Sequence, residues 1–209
     1  MKVLGIETSC DEVVRTGGPE GGPPAPPARF GPASSGWACA ALESPGGPVL
    51  APSAGHPMKL VDFLRPEAVI ADLAGDGVPA VLLELARPVA QAYRLEERRL
   101  VEVLLERERL GSTGVGDGVA IPHAKVPGLA ALAASLGRAP RGVDFKAIDG
   151  RPTRLFLALF APESSAGSHL RALARVSRIF KGAAFREALL AAPDAAAMWR
   201  LVQQEDARD

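Results

Sequence analysis

The 209-residue sequence is poor in several residue types, and each shortage narrows what the protein can be. Its only cysteines are Cys10 and Cys39, so the chain is not a disulfide scaffold, and we expect both thiols to be reduced. Only three histidines occur, so each of them is considered as a candidate functional residue. Basic and acidic residues number 24 each, so no net field attracts nucleic acid or an anionic membrane.

Long apolar runs are also lacking. The longest, LFLALFAP at residues 155–162, is far too short to span a bilayer. The opening stretch, MKVLGIETSCDE, meets an acidic pair by residue 12 and lacks the pattern of a secretion signal. We therefore expect a cytoplasmic protein with no membrane insertion.

Glycine and proline are plentiful but unevenly spread. Residues 1–57 hold 10 of the 22 glycines and 10 of the 19 prolines. Runs such as GGPEGGPPAPPARFGP sustain neither a helix nor a strand ladder, and they bury too little apolar surface to offset the entropy of ordering. From Met58 onward the apolar residues become periodic. The sequence therefore predicts a disordered low-complexity segment over 1–57 and one folded domain over 58–209.

Within 58–209 the periodicity alternates between helical and strand-like. VPAVLLELARPVAQAY (78–93) predicts a helix that Pro88 kinks or splits, and LEERRLVEVLLERERLG (95–111) predicts an amphipathic helix that stops at Gly111. Short apolar runs bounded by glycine or proline suit buried strands. These are AVIADL (68–73, strand or turn), GVAIPH (118–123), LAALAASLG (129–137) and TRLFLALFAP (153–162). Further helices are expected at 58–64, 168–180, 183–191 and 194–204, which gives a single α/β domain.

The glycine-rich stretch GSTGVGDGVAIPHAKV (111–126) fits neither familiar phosphate-binding loop. Asp117 stands where a P-loop requires lysine, and Val119 stands where the dinucleotide fingerprint requires its third glycine. His123 and His169 are far apart in sequence, with no cysteine in this part of the chain, so no metal site is predicted.

A nucleophilic role for His123 remains. Imidazole is partly neutral near pH 7 and offers a lone pair to phosphorus, Pro122 restrains the backbone before it, and the glycines leave space around it. Arg107, one turn before the helix ends, has the planar fork that suits phosphate. Each residue also has an alternative role. His123 could be a structural histidine, and Arg107 could be a solvated residue of the charged run LERERL. His169 could be a helix-capping or surface residue.

A longer pattern favours the first interpretation. RERLGSTGVGDGVAIPHAK (107–125) resembles the active-site signature of phosphotransferase-system (PTS) enzyme IIA domains of the fructose/mannitol class, the nitrogen-regulatory IIA proteins above all. The resemblance continues through VDFKAIDGRPTRLFLALFAPE (143–163) and HLRALARVSRIF (169–180). It covers essentially all of 58–209 and implies a mixed β-sheet flanked by helices.

The resemblance also implies a chemistry. His123 matches the histidine that accepts a phosphoryl group from the phosphohistidine of HPr or its nitrogen-branch equivalent. Arg107 matches the arginine that stabilises the moving group, and His169 matches a second histidine that hydrogen-bonds the phosphate or steadies the ring. Ser112 and Thr113 are weaker candidates for phosphate contact, since helix-exit hydroxyls serve local turns equally well. No metal or cofactor is needed.

Three positions near the predicted site are less certain in role. Asp117 falls where the family carries asparagine or an acid, and its role is open. Ala124 replaces a frequent glycine, which slightly narrows the approach to His123. Lys125 is surface charge that attracts an incoming partner or has no further role.

We expect no IIB or IIC portion after residue 209, and a solitary IIA domain would favour regulation over sugar uptake. The expected target is a kinase, a transporter or a regulator. The alternatives are a sugar-specific IIA protein that passes phosphoryl to a separate IIB protein, and an interaction module that binds its partner regardless of phosphorylation.

The opening residues carry a second, short resemblance. MKVLGIETSCDE resembles the first strand and turn of the tRNA threonylcarbamoyladenosine-forming family, but the pattern breaks at Val13. We interpret it as a fused fragment or a mis-set start, with Met58 the original beginning and His56 part of a linker.

Deletion of residues 1–57 is therefore expected to leave folding and phosphorylation intact. Thermal unfolding and a phosphorylation assay of the two chain lengths side by side measure this. Aggregation of the shortened chain, or loss of phosphoacceptance, would contradict the proposed boundary.

Overall fold

The computed structural model describes residues 58–208. The segment 1–57, with its short N-terminal resemblance, lies outside the described residues, and the boundary at Met58 stays a prediction.

A six-stranded mixed sheet forms the centre of the fold. Its strands run in the spatial order β1-β5-β6-β3-β2, and β4 also pairs with β6. The β5–β6 and β2–β3 pairs are antiparallel, whereas β1–β5, β3–β6 and β4–β6 are parallel. The strands are β1 (Leu64–Ile70), β2 (Gly114–Gly116), β3 (Val119–Ala120), β4 (His123–Val126), β5 (Ala133–Val143) and β6 (Thr153–Pro162).

Helices cover both faces of this sheet. They are α1 (Val78–Tyr93), α2 (Glu97–Arg109), α3 (Ala166–Lys181), α4 (Ala183–Ala191) and α5 (Ala195–Asp206), with a 3₁₀ turn at Leu60–Asp62. The predicted α/β domain with a mixed, helix-flanked sheet is thus confirmed. None of the described helices is both long and apolar enough to cross a membrane.

Strand β6 carries the core on both of its faces. Its even-numbered residues Phe156, Ala158 and Phe160 pack in the cluster with α1 and α2. The alternate residues Leu155, Leu157 and Leu159 pack in the cluster with α3, α4 and α5. All six are buried, and each leucine or phenylalanine buried in this way contributes about 1.5–3 kcal/mol to folding. Burial on both faces explains why this strand is a continuous apolar run.

Strands β3 and β4 follow one another along the same edge of β6. Val119 and Ala120 pair with Leu155 and Phe156, and His123 pairs with Leu159 in the same parallel register. Pro122 lies between the two strands and has no amide hydrogen to donate, but its carbonyl oxygen accepts from the Leu159 amide at 2.8 Å. The proline therefore interrupts the ladder without shifting it, and His123 begins the strand that follows.

The glycine-rich stretch forms a hairpin between β2 and β3. Its two turn residues, Asp117 and Gly118, have φ of 52° and 73°, the positive values that a two-residue hairpin turn favours. A Cβ at Gly114 would lie 2.7 Å from the Ala147 Cα, which leaves no space for a side chain. These glycines thus serve the hairpin and its contact with residues 147–149. The sequence had predicted a different role for them, that of leaving space around His123.

Several element boundaries differ from expectation. Pro88 was expected to kink or split α1, and the helix is not split there, because Val89 and Ala90 bury against the core and offset the lost hydrogen bond. A helix was expected over 58–64, but only a 3₁₀ turn forms there, at Leu60–Asp62. The strand or turn expected over 68–73 is the end of β1, which stops at Ile70. The strand expected over 129–137 runs instead over β5, and β2 was not predicted. The expected bounds of α1, α4 and β6 are confirmed.

Candidate functional site

His123 is the first residue of β4 and its side chain is half-buried. The Nδ1 atom lies 2.9 Å from the carbonyl oxygen of Ile121. A carbonyl oxygen only accepts hydrogen bonds, so Nδ1 carries the ring hydrogen. The neutral ring therefore presents its lone pair on Nε2.

Arg107 approaches that second nitrogen from the last turn of α2. Its Nε lies 3.2 Å from Nε2 of His123, and its Nη1 donates to the Gly111 carbonyl at 3.1 Å. A guanidinium only donates, so this contact also requires an unprotonated Nε2. Within residues 58–208, no carboxylate forms an ion pair with Arg107.

His169 completes the group from the first turn of α3. Its backbone amide donates to the Ser165 carbonyl at 3.0 Å, which anchors that turn. The His123 and His169 ring centroids lie 5.5 Å apart, with the ring planes at 49°. The His169 Nδ1 is buried and has no hydrogen-bond partner among the described residues. The three predicted residues, distant in sequence, thus lie together.

Both imidazoles are shifted toward the neutral form. Burial lowers the pKa of His123 below its ordinary 6.5, the Arg107 charge lowers it further, and the bond to Ile121 and the Glu108 charge oppose this. Burial also lowers the pKa of His169, helped by the charges of His123 and Lys125. Neutral rings at pH 7 are what a nucleophilic nitrogen requires.

The weaker candidates have partners inside the protein. The Ser112 hydroxyl donates to the Phe145 carbonyl at 2.6 Å, and the Thr113 hydroxyl donates to the Glu108 carboxylate at 2.5 Å. The Thr113 contact is local chemistry at the helix exit, whereas the Ser112 contact joins the loop to a residue 33 positions further along the chain. The exposed Lys125 follows Ala124, whose small side chain is buried in β4.

Asp117 lies at the tip of the β2–β3 hairpin. Its carboxylate accepts from Arg186 at 3.2 Å, and its amide donates to the Asp149 carboxylate at 2.8 Å. These contacts hold the hairpin tip against α4 and the loop before β6, which gives the acid a structural role there.

Two groups at the site were not anticipated from the sequence. The Ile121 carbonyl is a backbone group, so no residue type in the sequence marks it. Glu108 belongs to the charged run LERERL, which is typical of a solvated helix face, but its carboxylate binds Thr113 beyond the helix end. Within residues 58–208, no cluster of three or more histidine, cysteine, aspartate or glutamate side chains is arranged to hold a metal ion.

The lowered pKa values predict how the rings titrate. In a proton NMR titration, His123 and His169 should both titrate below 6.5, and Arg107→Met should raise the pKa of His123 by removing a nearby positive charge. In the unaltered chain both pKa values are lowered by folding, so the unfolded chain binds protons more readily than the folded one. The free energy of unfolding should therefore fall as the pH drops from about 6.5 through the lowered pKa values.

The matched control for this titration is Arg109→Met, which removes an exposed arginine from the same last turn of α2. It should leave the titration of His123 unchanged. A His123 that titrates at or above 6.5 in the unaltered chain would contradict the described environment.

The chain resembles a known protein family in sequence. Residues 62–205 match the family described as the phosphoenolpyruvate-dependent sugar phosphotransferase system, EIIA 2. The chain is 39% identical over 145 residues to a nitrogen regulatory protein of Bradyrhizobium diazoefficiens, a match that covers 69% of this chain and 95% of that protein. It is 32% identical over 150 residues to the fructose-specific EIIABC component of Bacillus subtilis, covering 71% of this chain but 24% of that longer protein.

A solved structure extends the likeness to the fold. The crystal structure of the nitrogen regulatory protein IIA-Ntr from Neisseria meningitidis superposes with a TM-score of 0.64 at 29% identity. That superposition covers 68% of this chain and 97% of the other. The chain belongs to the EIIA 2 family of the phosphoenolpyruvate-dependent sugar phosphotransferase system.

Proposed function

We propose that Nε2 of His123 accepts a phosphoryl group from the phosphohistidine of an HPr-type carrier protein, and that the chain acts mainly as a nitrogen or metabolic regulator. The observation that carries this proposal is the fixed imidazole, with Nδ1 bonded to the Ile121 carbonyl and Nε2 facing Arg107. A ring held in this way presents one nucleophilic nitrogen in one direction.

The transfer step balances without a cofactor. The Nε2 lone pair, once released from its hydrogen bond with Arg107, attacks phosphorus while the donor's P–N bond breaks, and that bonding pair returns to the donor's ring nitrogen. His123 keeps its hydrogen on Nδ1 throughout, so no proton has to leave the acceptor before attack. The lowered pKa of His123 favours the neutral ring at pH 7 that this step needs.

Arg107 is the cation of the step. The transferring phosphoryl group spreads negative charge over its equatorial oxygens, and a positioned guanidinium stabilises that charge. Because Arg107 already contacts Nε2, it lies beside the atom that the phosphoryl group reaches. With no carboxylate partner among residues 58–208, its charge is available to the phosphate.

His169 is the second group that we assign to the phosphoryl site. Its ring lies beside that of His123, and its Nδ1 has no partner in the described part of the chain. A neutral imidazole here can donate one hydrogen bond to a phosphoryl oxygen, or steady the neighbouring ring through contact. Ser112 and Thr113 are not needed for the step, because their hydroxyls hold the loop.

The regulatory branch is favoured by the relatives. The Bradyrhizobium protein matched over nearly its whole length is named a nitrogen regulatory protein, as is the Neisseria structure. Phosphorylation would add about 1.5–2 negative charges at the surface of His123, enough to permit or block docking of a kinase, transporter or regulator. The cytoplasmic location inferred from the sequence stays a prediction.

A sugar-transport role is the second candidate, because the fructose-specific EIIABC component of Bacillus subtilis shares this domain. In that role the chain would pass its phosphoryl group to a separate IIB protein. Rapid transfer from the phosphorylated chain to a purified fructose IIB protein would favour it, and a lack of transfer favours regulation. A third possibility, docking that ignores phosphorylation, would show equal partner affinity for the unaltered chain and His123→Ala.

Incubation with phosphoenolpyruvate, enzyme I and an HPr-type carrier should give an acid-labile phosphoryl adduct that His123→Ala abolishes. Arg107→Ala should slow transfer by roughly 10²-fold, because it removes the charge nearest the acceptor nitrogen. Rapid-quench measurement of adduct formation gives both results.

Arg109→Ala is the matched control, since it removes the same charge from the same turn at an exposed position. It should transfer at the unaltered rate. An adduct that persists in His123→Ala would refute the assignment of the acceptor, and equal rates for the two arginine variants would remove Arg107 from the mechanism.

A further inference from the structure

Glu108, next to Arg107 in the last turn of α2, accepts two hydrogen bonds from Thr113. Its Oε1 accepts from the Thr113 backbone amide at 2.9 Å, and its Oε2 accepts from the Thr113 hydroxyl at 2.5 Å. Thr113 is 6% exposed and immediately precedes β2. One carboxylate thus fixes both the backbone and the side chain of the residue that enters the hairpin.

The contact continues from Thr113 toward the imidazole. The Thr113 carbonyl accepts from the Ile121 amide at 3.0 Å. Ile121 in turn offers its own carbonyl to Nδ1 of His123 at 2.9 Å. Because the amide and the carbonyl of Ile121 belong to one residue, directly after β3, fixing its amide also limits where its carbonyl can point.

The last turn of α2 therefore reaches both nitrogens of the ring. Arg107 contacts Nε2 directly, and Glu108 acts on the Nδ1 side through Thr113 and Ile121. We propose that Glu108 is a positioning residue for phosphoryl transfer, which holds His123 in the Nδ1-protonated form through Thr113 and the Ile121 carbonyl. This inference rests on the proposed role of His123 as phosphoryl acceptor.

The charge of Glu108 acts in the same region. It favours the protonated ring and so raises the pKa of His123, against burial and Arg107. The His169 ring lies 5.5 Å from that of His123, centroid to centroid, and the charges of His123 and Lys125 help burial to lower the pKa of His169. Since the Glu108 carboxylate is occupied by Thr113, it does not neutralise Arg107, which keeps its charge for the phosphoryl group.

A purely structural Glu108 would make a different prediction. Its loss would loosen the α2–β2 connection and lower the unfolding temperature, but the ring of His123 would keep its tautomer. The tautomer is therefore the readout that separates the two roles, and ¹⁵N NMR of the imidazole nitrogens reports it directly in the full chain.

The test compares Glu108→Ala and Thr113→Val with Thr113→Ser and with Glu106→Ala. Thr113→Val keeps the shape but removes the hydroxyl, whereas Thr113→Ser keeps the hydroxyl. Glu106 is an exposed glutamate on the same helix, which makes it the matched control. We expect the Nδ1-protonated form of His123 to dominate in the unaltered chain, in Thr113→Ser and in Glu106→Ala.

In Glu108→Ala and Thr113→Val, the tautomers should become a mixture, and phosphoryl transfer should slow by about 10-fold because the acceptor nitrogen is less well oriented. An unchanged tautomer and rate in these two variants would overturn the proposal, even if they unfold more easily. Should Glu108→Ala fail to fold, Thr113→Val decides alone.

The tautomer measurement needs no phosphoryl donor, so its outcome is independent of the proposed function. A chain that is never phosphorylated but shows the tautomer shift would contradict the proposed function and leave only the effect of Glu108 on the His123 tautomer. If His123→Ala abolishes phosphorylation, yet the Glu108 and Thr113 variants show no tautomer shift, the proposed function stands and the positioning role of Glu108 is wrong.

Discussion

One imidazole held between two partners of opposite character is the interaction on which the site depends. The Ile121 carbonyl can only accept a hydrogen bond and the Arg107 guanidinium can only donate one, so together they admit a single neutral form of His123. That form places the lone pair on Nε2, beside a positive charge. Half-burial keeps the ring neutral at pH 7 while leaving it in reach of a partner.

The fold supplies this arrangement from three separate elements. Pro122 interrupts the ladder between β3 and β4 without changing the register against β6, which starts β4 at His123. The end of α2 brings Arg107 to Nε2 of His123. The first turn of α3 places the His169 ring 5.5 Å from the His123 ring, centroid to centroid. Strand β6, buried on both faces, fixes the position of the strand that carries His123. The site therefore needs few side chains of its own, because packed elements orient them.

Side-chain periodicity predicted much of this fold, and the resemblance to the enzyme IIA signature supplied the candidate site residues. Helix α1 and strand β6 were predicted with their observed bounds, since a helical stripe and an unbroken apolar run are strong local signals. Strand β2 was missed because three residues of which two are glycine carry no strand pattern. Pro88 does not split α1, because core packing outweighs one lost hydrogen bond. Glu108 and the Ile121 carbonyl were missed since their partners lie across a helix end or on the backbone, where sequence spacing gives no signal.

The ring nitrogen that carries the phosphoryl group shows whether the Ile121 carbonyl and Arg107 select Nε2 as the acceptor. The phosphorylated chain, labelled with ¹⁵N in its histidines, can be observed by NMR through the coupling between phosphorus and the ring nitrogens. We expect phosphorus on Nε2 of His123, with hydrogen retained on Nδ1. Phosphorus on Nδ1 of that ring, or on His169, would contradict it.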